Sequence, residues 1–205
     1  MSDASVTGDE ATTPLSERGP ASKEMVVRFG FWLFLLSDIV VFAGLFAAYA
    51  VLSKSTAGGP TGPELFSRTH TFIETTCLLL SSFACGLMTV GVEIRQRKLI
   101  YLSALATFVL GTGFVGLELS EFIDLVARGA GPTHSAFLSA FFALVATHGL
   151  HVTAGLLWLI IMMAQVATLG LRDMVLRRLF CFTLFWHALD IVWVAVFTIV
   201  YLGAS

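Results

Sequence analysis

A chain of 205 residues that is 57% hydrophobic and 13% charged is too apolar to fold as a water-soluble domain. Its apolar residues form long runs rather than amphipathic stripes, and its mean hydropathy is +0.86. The formal net charge of −2 at pH 7 provides no basic surface for a nucleic acid, which we exclude as a partner. The composition therefore predicts an integral membrane protein.

The N-terminal segment, residues 1–24, differs from the rest of the chain. It is rich in Ser, Thr, Ala, Gly and acidic residues, includes Pro14 and Pro20, and lacks the apolar core of a secretory signal. We expect residues 1–24 to be a disordered cytoplasmic tail. Residues 25–205 are then expected to form one membrane domain.

Apolar runs long enough to cross a membrane follow this segment. A helix rises 1.5 Å per residue, so crossing about 30 Å of hydrocarbon takes about 20 residues. Runs of that length or longer lie at about 29–52, 72–92, 99–119, 137–165 and 179–202. They are continuously apolar and lack the alternating segments of about 10 residues that build a membrane β-barrel. The sequence therefore predicts an all-α, multi-pass bundle of five transmembrane helices.

The basic residues between the runs indicate the orientation. Nine of the 12 Lys and Arg residues lie on one side, and these are Arg18, Lys23, Arg28, Arg95, Arg97, Lys98, Arg172, Arg177 and Arg178. Lys54, Arg68 and Arg128 lie on the other side. Because loops rich in Lys and Arg remain in the cytoplasm, we expect a cytoplasmic N-terminus and a periplasmic C-terminus.

Several ionisable residues interrupt the apolar runs. They are Asp38, Glu74, Glu118, Glu121, His148, His151, His187 and Asp190. An Asp at the centre of a membrane helix costs about 2.5–3.5 kcal/mol on insertion scales, so such residues mark a functional site or a specific contact between helices. His148 and His151 are spaced so that they share one helix face. His187 and Asp190 share a face in the same way, and Asp38 could join them in one polar layer.

Three interpretations of these polar residues remain open. Hydrogen bonds that hold helices together are favoured, since buried polar side chains commonly serve as such contacts. A proton pathway through Asp38 and the histidines is the second, because intramembrane acids line proton relays. A metal or haem site is the third, although His148 and His151 on one helix cannot supply both axial ligands of one haem. We expect no catalytic, cofactor-binding or metal-ligating residue in this chain.

Four aromatic residues mark expected surfaces. Trp32 lies near the start of the first run and Tyr201 near the end of the last, so we expect both to be anchors at the membrane interface. The spacing of Trp186 and Trp193 places them roughly on one helix face. We expect that face to meet lipid or a partner protein.

Four stretches of the chain resemble one protein family. They are Gly30–Asp38 (GFWLFLLSD), Glu118–Glu121 (ELSE), Thr147–His151 (THGLH) and Trp186–Trp193 (WHALDIVW), and they occur in order. Together they resemble subunit III of the haem-copper terminal oxidases over residues 29–205. The five-helix length, residues 56–62 and the stretch Ser135–Ala143 are most similar to the cytochrome o-type ubiquinol oxidases.

This resemblance implies an accessory subunit of a respiratory complex that oxidises ubiquinol, reduces oxygen to water and pumps protons. Haem and copper are then expected in subunit I and none in this chain. The resemblance also implies contact mainly with subunit I, further contacts with subunit II and a small subunit IV, bound phospholipid, and a place in the bacterial inner membrane. It implies a part in assembly and sustained turnover rather than in catalysis.

The resemblance also bears on particular residues. Asp38 lies where cytochrome c oxidase relatives have a membrane-buried Glu, so a proton role cannot be carried over from charge alone. Anionic lipid headgroups are expected near Arg28, Arg95, Arg97 and Arg178 on the cytoplasmic side. The alternatives are subunit III of a cytochrome c oxidase and a stand-alone proton-coupled transporter. The lack of an internal sequence repeat argues against the transporter.

Overall fold

The computed structural model describes residues 23–56 and 68–203, and side chains within 25–56 and 69–203. Its helices follow one another in chain order and are α1 (Lys23–Leu52), α2 (Arg68–Glu93), α3 (Arg97–Ala127), α4 (Ala136–Leu169) and α5 (Asp173–Val196), which continues as a π-helical segment (Phe197–Leu202). In the described ranges, five helices are long and apolar enough to cross a membrane, and no residue is in a strand. The predicted all-α architecture with five membrane helices is therefore confirmed.

All five helices extend beyond the apolar runs that predicted them, and the third and fifth show this clearly. The third run stops at residue 119, but α3 continues to Ala127. The fifth run starts at residue 179, but α5 begins at Asp173. Hydropathy marks the part of a helix that lies in hydrocarbon, whereas backbone hydrogen bonding continues into the polar interface. The predicted tail, residues 1–24, lies outside the described residues except for the first two residues of α1.

Local sequence explains where helices begin and end. Ser135 precedes α4, and its hydroxyl accepts a hydrogen bond from the Leu138 N–H at 3.2 Å, which satisfies one free donor of the first turn. After α3, Gly129 has φ 80°, a left-handed conformation that costs glycine little. The Ala130 N–H then bonds back to the Leu125 carbonyl at 2.9 Å and closes the helix.

The fifth helix is the centre of the bundle. It packs against α1, α2 and α4, while α2 lies along α3 and α3 also contacts α4. In the most apolar stretch of α5, 50% of the residues are buried, against 11% in α1. α1 therefore lies at the edge of the bundle, with most of its apolar surface uncovered by this chain.

Hydrogen bonds from two tryptophans join α2 to α5. The Trp186 indole N–H donates to the Ser81 hydroxyl at 3.1 Å, and the Trp193 indole N–H donates to the Thr75 hydroxyl at 3.1 Å. Both indoles are buried, at 1% and 0% exposure, so the expectation that this face meets lipid or a partner is wrong. The indole N–H must find an acceptor in an apolar interior, and the hydroxyls on α2 supply one.

The Trp186 ring fits between two glycines on neighbouring helices. A Cβ added at Gly111 of α3 would lie 3.0 Å from the ring, and one added at Gly155 of α4 would also lie 3.0 Å from it. Glycine at these two positions lets α3 and α4 approach the indole, as small residues do in membrane helix interfaces. The position of α5 therefore depends on residues of three other helices.

We predict that Gly111→Ala destabilises the chain relative to Gly113→Ala. Both substitutions add the same methyl group to α3, and both gain about 1 kcal/mol of helix propensity. Only the methyl at Gly111 meets Trp186, whereas a Cβ at Gly113 has nothing within 4 Å. Crowding a packed interior costs about 1–3 kcal/mol, so we expect a difference of that size in the free energy of unfolding. Detergent titration in mixed micelles measures it, and equal stabilities would contradict the prediction.

Candidate functional site

Asp38 on α1 faces His151 on α4. The Asp38 Oδ1 atom lies 3.9 Å from His151 Nε2, and the two side chains are 22% and 24% exposed. His151 Nδ1 lies 2.7 Å from the Thr147 carbonyl oxygen. Because a carbonyl only accepts hydrogen bonds, Nδ1 carries the hydrogen, which leaves Nε2 directed at the carboxyl group. The contact therefore joins the edge helix to α4 through a carboxyl group and an imidazole.

His148 is in a different environment, although it is one turn from His151. It is fully buried, its ring stacks on Trp193 with centroids 5.1 Å apart, and Phe114 meets it edge-on at 5.7 Å. Neither ring nitrogen has a hydrogen-bond partner in the part of the chain that the structure describes. His148 therefore occupies the apolar core as an aromatic ring, and it does not act together with His151.

His187 binds across to α2 rather than along its own helix. Its Nδ1 atom lies 2.7 Å from the Ser82 hydroxyl. Asp190, one turn further along α5, has a buried Oδ1 without a hydrogen-bond partner. Ser82, His187 and Asp190 line an open groove of about 500 Å³ whose other walls are mostly apolar. These groups form a second polar contact, between α2 and α5.

The structure thus divides the polar residues that one layer was expected to unite. Asp38 meets His151 between α1 and α4, whereas His187 meets Ser82 between α5 and α2. His148 is separated from both by its aromatic shell. The three histidines therefore lie in three separate environments.

A cluster of buried carboxyl groups lies near the start of α2 and the end of α3. Glu74, Glu118 and Glu121 are 0%, 3% and 8% exposed. The Tyr201 hydroxyl donates to Glu121 Oε2 at 3.1 Å, and Tyr201 itself is only 6% exposed. Tyr201 was expected to be an interfacial anchor, but it is part of this cluster because the π-helical segment packs it against the helices. These residues lie near the end where α1, α3 and α5 finish.

His70 completes the cluster and was missed in the sequence. Its Nδ1 lies 3.4 Å from Glu74 Oε1, and its side chain is 31% exposed. One donor atom each from His70, Glu74 and Glu121 all lie within 4.8 Å of one another. The i, i+4 spacing of His70 and Glu74 on one helix was a visible signal. Only the packing of α3 against α2 brings in Glu121.

Gly149 leaves room for the Glu118 carboxyl group because glycine has no side chain. A Cβ added at Gly149 on α4 would lie 2.8 Å from Glu118 Oε2. That distance is shorter than two unbonded atoms tolerate, so any larger residue at Gly149 would displace the carboxyl group. The glycine of the THGLH motif therefore lets α4 pass the buried acid.

The basic residues expected to bind lipid headgroups lie at the opposite end. The Arg28 guanidinium lies over the Phe180 ring, 5.1 Å from its centroid. A surface cavity of about 320 Å³ lies between α1 and α5, and its lining includes Arg28, Asp173 and Arg177. This cavity combines positive charge with an aromatic and aliphatic wall.

The other three arginines are placed by the turns at that end. Arg178 Nη1 donates to Gln165 Oε1 at 2.9 Å, between α5 and α4. Arg97 reaches the turn after α4, since its Nη2 lies 3.2 Å from where a Cβ on Gly170 would be. Arg95 forms the turn between α2 and α3 with φ 53°.

Comparison with known proteins identifies the family. The family model for cytochrome c oxidase subunit III matches residues 13–205. The chain belongs to that family. The resemblance seen in the four sequence motifs is therefore confirmed, and it extends over all five helices.

Named relatives of subunit III are similar over most of the chain. Cytochrome bo(3) ubiquinol oxidase subunit 3 of Pseudomonas aeruginosa is 50% identical over 176 residues, which cover 85% of this chain and 83% of the relative. Quinol oxidase subunit 3 of Bacillus subtilis is 43% identical over 173 residues, covering 84% and 85%. Cytochrome c oxidase subunit 3 of Bacillus sp. strain PS3 is 42% identical over 192 residues, covering 93% of each.

Proposed function

We propose that the chain is the accessory subunit III of a proton-pumping cytochrome o-type ubiquinol oxidase of the aerobic respiratory chain. The observation that carries this proposal is the 50% identity to a subunit 3 of cytochrome bo(3) ubiquinol oxidase. The cytochrome c oxidase relative is 42% identical, so the quinol enzymes are the better match. The chain takes part in a quinol:oxygen oxidoreductase as a non-catalytic subunit.

The separation of the three membrane histidines supports a role without a redox centre. His148 is enclosed by aromatic rings, His151 is held by the Thr147 carbonyl, and His187 is held by Ser82. Haem and copper belong, in this proposal, to subunit I. The chain contacts subunit I with its uncovered helix faces, and subunits II and IV complete the complex in the bacterial inner membrane. Its N-terminus is cytoplasmic and its C-terminus periplasmic.

Purification from membranes tests this assignment. We expect an affinity-tagged chain to bring down larger subunits that contain haem and copper, in a complex that consumes oxygen with ubiquinol but not with reduced cytochrome c. The chain separated from that complex should show no Soret band and no stoichiometric copper. A Soret band in the separated chain would contradict the accessory role. Oxygen consumption with cytochrome c alone would instead favour the cytochrome c oxidase alternative.

We also propose that an anionic lipid headgroup occupies the cavity at Arg28. The lining of the cavity combines two arginines with one acid, Asp173, and apolar residues, and its net positive charge suits a phosphate attached to an acyl chain. Arg28 lies over Phe180 and at the start of the first helix, on the expected cytoplasmic side. Subunit III would thereby hold lipid between its edge helix and its central helix.

The lipid proposal predicts a loss of bound anionic lipid in Arg28→Ala. The substitution removes one of the two positive charges that face the phosphate, so a severalfold decrease in retained phosphatidylglycerol per complex is expected. Mass spectrometry of lipids extracted from the purified complex measures it. Lys54→Ala at the opposite end serves as the matched control and should change nothing. Unchanged lipid content in Arg28→Ala would refute the site.

For Asp38 we propose a structural role rather than an essential step of proton pumping. The carboxyl group faces the unprotonated side of a histidine whose other nitrogen is fixed by a carbonyl. An amide at this position can donate a hydrogen bond to Nε2 in place of the carboxyl group. The helix contact can therefore persist without a titratable proton.

Asp38→Asn should accordingly leave the proton-to-electron ratio unchanged. The amide keeps the volume and hydrogen-bonding capacity of the side chain, while Asp38→Ala should loosen subunit III because it removes the group that faces His151 Nε2. Proton release per electron in reconstituted complex, together with the subunit composition, measures both effects. If pumping were abolished in Asp38→Asn complex of intact composition, Asp38 would be a proton relay.

A further inference from the structure

The cluster of His70, Glu74 and Glu121 has a chemistry that the accessory role does not explain. We propose that these three residues bind a divalent transition-metal ion of the Zn²⁺ class, at the end of the bundle where α2 begins and α3 finishes. The sequence predicted no metal ligand in this chain. The proposal arises from the position of His70, which places an imidazole nitrogen beside two buried carboxyl groups.

Four polar atoms of the cluster have no hydrogen-bond partner among the residues that the structure describes. Both carboxyl oxygens of Glu74, Oε2 of Glu118 and Nδ1 of His70 lack a hydrogen bond. Glu74 is fully buried, and no Lys or Arg whose side chain the structure describes forms an ion pair with any of the three acids. Leaving a buried polar group unsatisfied costs about 1–3 kcal/mol, and more if it is charged. A cation among these atoms would supply the missing partner for several of them at once.

The distances are close to those of a metal site. Zinc binds histidine nitrogen and carboxylate oxygen at about 2.0–2.2 Å, so two ligands of one tetrahedral ion lie about 3.3–3.6 Å apart. His70 Nδ1 and Glu74 Oε1 are 3.4 Å apart, which already meets this condition. The three donor atoms lie within 4.8 Å of one another. Closing the widest separation by roughly 1.3 Å, shared among the three side chains, would therefore bring all three onto one ion.

The kinds of ligand indicate the class of ion. One imidazole nitrogen with carboxylate oxygens suits Zn²⁺ and similar transition metals, whereas Ca²⁺ and Mg²⁺ use oxygen ligands. The Tyr201 hydroxyl holds Glu121 Oε2 and so orients a ligand from outside, as such partners do in metal sites. Glu118 lies one turn from Glu121 on the same helix and has a free oxygen for the ion or for a bound water.

Access to the site is through His70. Its side chain is 31% exposed, whereas the carboxyl groups behind it are buried. An ion arriving from water would meet the imidazole first and the two glutamates next. Such an ion would tie α2 to α3 and, through Tyr201, to the end of α5. The alternative is that protons neutralise the carboxyl groups, and metal binding distinguishes the two.

Zinc binding to the intact complex tests the proposal. The oxidase is purified, stripped with a chelator and dialysed against buffered Zn²⁺, and bound zinc is counted by mass spectrometry. We expect the wild type to hold one more zinc per complex than Glu74→Gln and His70→Ala, with at least tenfold weaker binding at this site in both variants. His134→Ala removes an exposed histidine from the loop before α4 and should bind as the wild type does. Equal zinc content in all four complexes would overturn the proposal.

A second measurement needs no variant and decides the matter if the substitutions impair assembly. Diethyl pyrocarbonate modifies accessible imidazoles, and peptide mass mapping gives the rate at each histidine. Zn²⁺ should slow the modification of His70 at least tenfold while leaving His134 unchanged. The same rate at His70 with and without Zn²⁺ would refute the site. Haem content and subunit composition are read separately, so failure of the assignment as subunit III is distinguished from failure of metal binding.

Discussion

The structure depends on satisfying polar groups where no water is available. A buried polar group without a hydrogen-bond partner is costly in an apolar interior, and α5 presents two buried indole N–H groups that both find acceptors on α2. Trp186 and Trp193 donate to hydroxyls of Ser81 and Thr75, at two levels of α2. These two bonds set the register of the antiparallel pair. Sliding one helix along the other would leave buried donors without acceptors, so the central helix has one favourable position.

Glycines and aromatic rings then determine how the other helices pack around α5. Trp186 fills the space left by glycines on α3 and α4, and Trp193 lies between His148 and the edge of Phe114. In a membrane, apolar surface alone does not drive helices together, so close van der Waals contact has to supply much of the stabilisation. The dense packing of aromatic rings thus follows from the membrane environment, in which van der Waals contact holds helices together. It also encloses His148.

The polar contacts are distributed over separate helix interfaces, and this distribution suits an accessory subunit. Asp38 and His151 join α1 to α4, Ser82 and His187 join α2 to α5, and Glu121 and Tyr201 join α3 to the end of α5. Each contact fixes one pair of helices. Because α1 lies at the edge of the bundle, most of its apolar surface is left uncovered by this chain.

The sequence by itself determined the class, the number of membrane helices and the family, because composition and run length report directly on hydrocarbon and because the four motifs are local in the chain. It identified Asp38, Glu121 and His187 as ionisable residues within or beside apolar runs, but it could not show which residue on another helix each one contacts. Only the tertiary structure shows that Trp186 points into the bundle, that Tyr201 is buried and that His70 lies beside Glu121. Each depends on the rotation and register of one helix against another, and helices with apolar residues on all sides carry no periodic signal of which face turns inward.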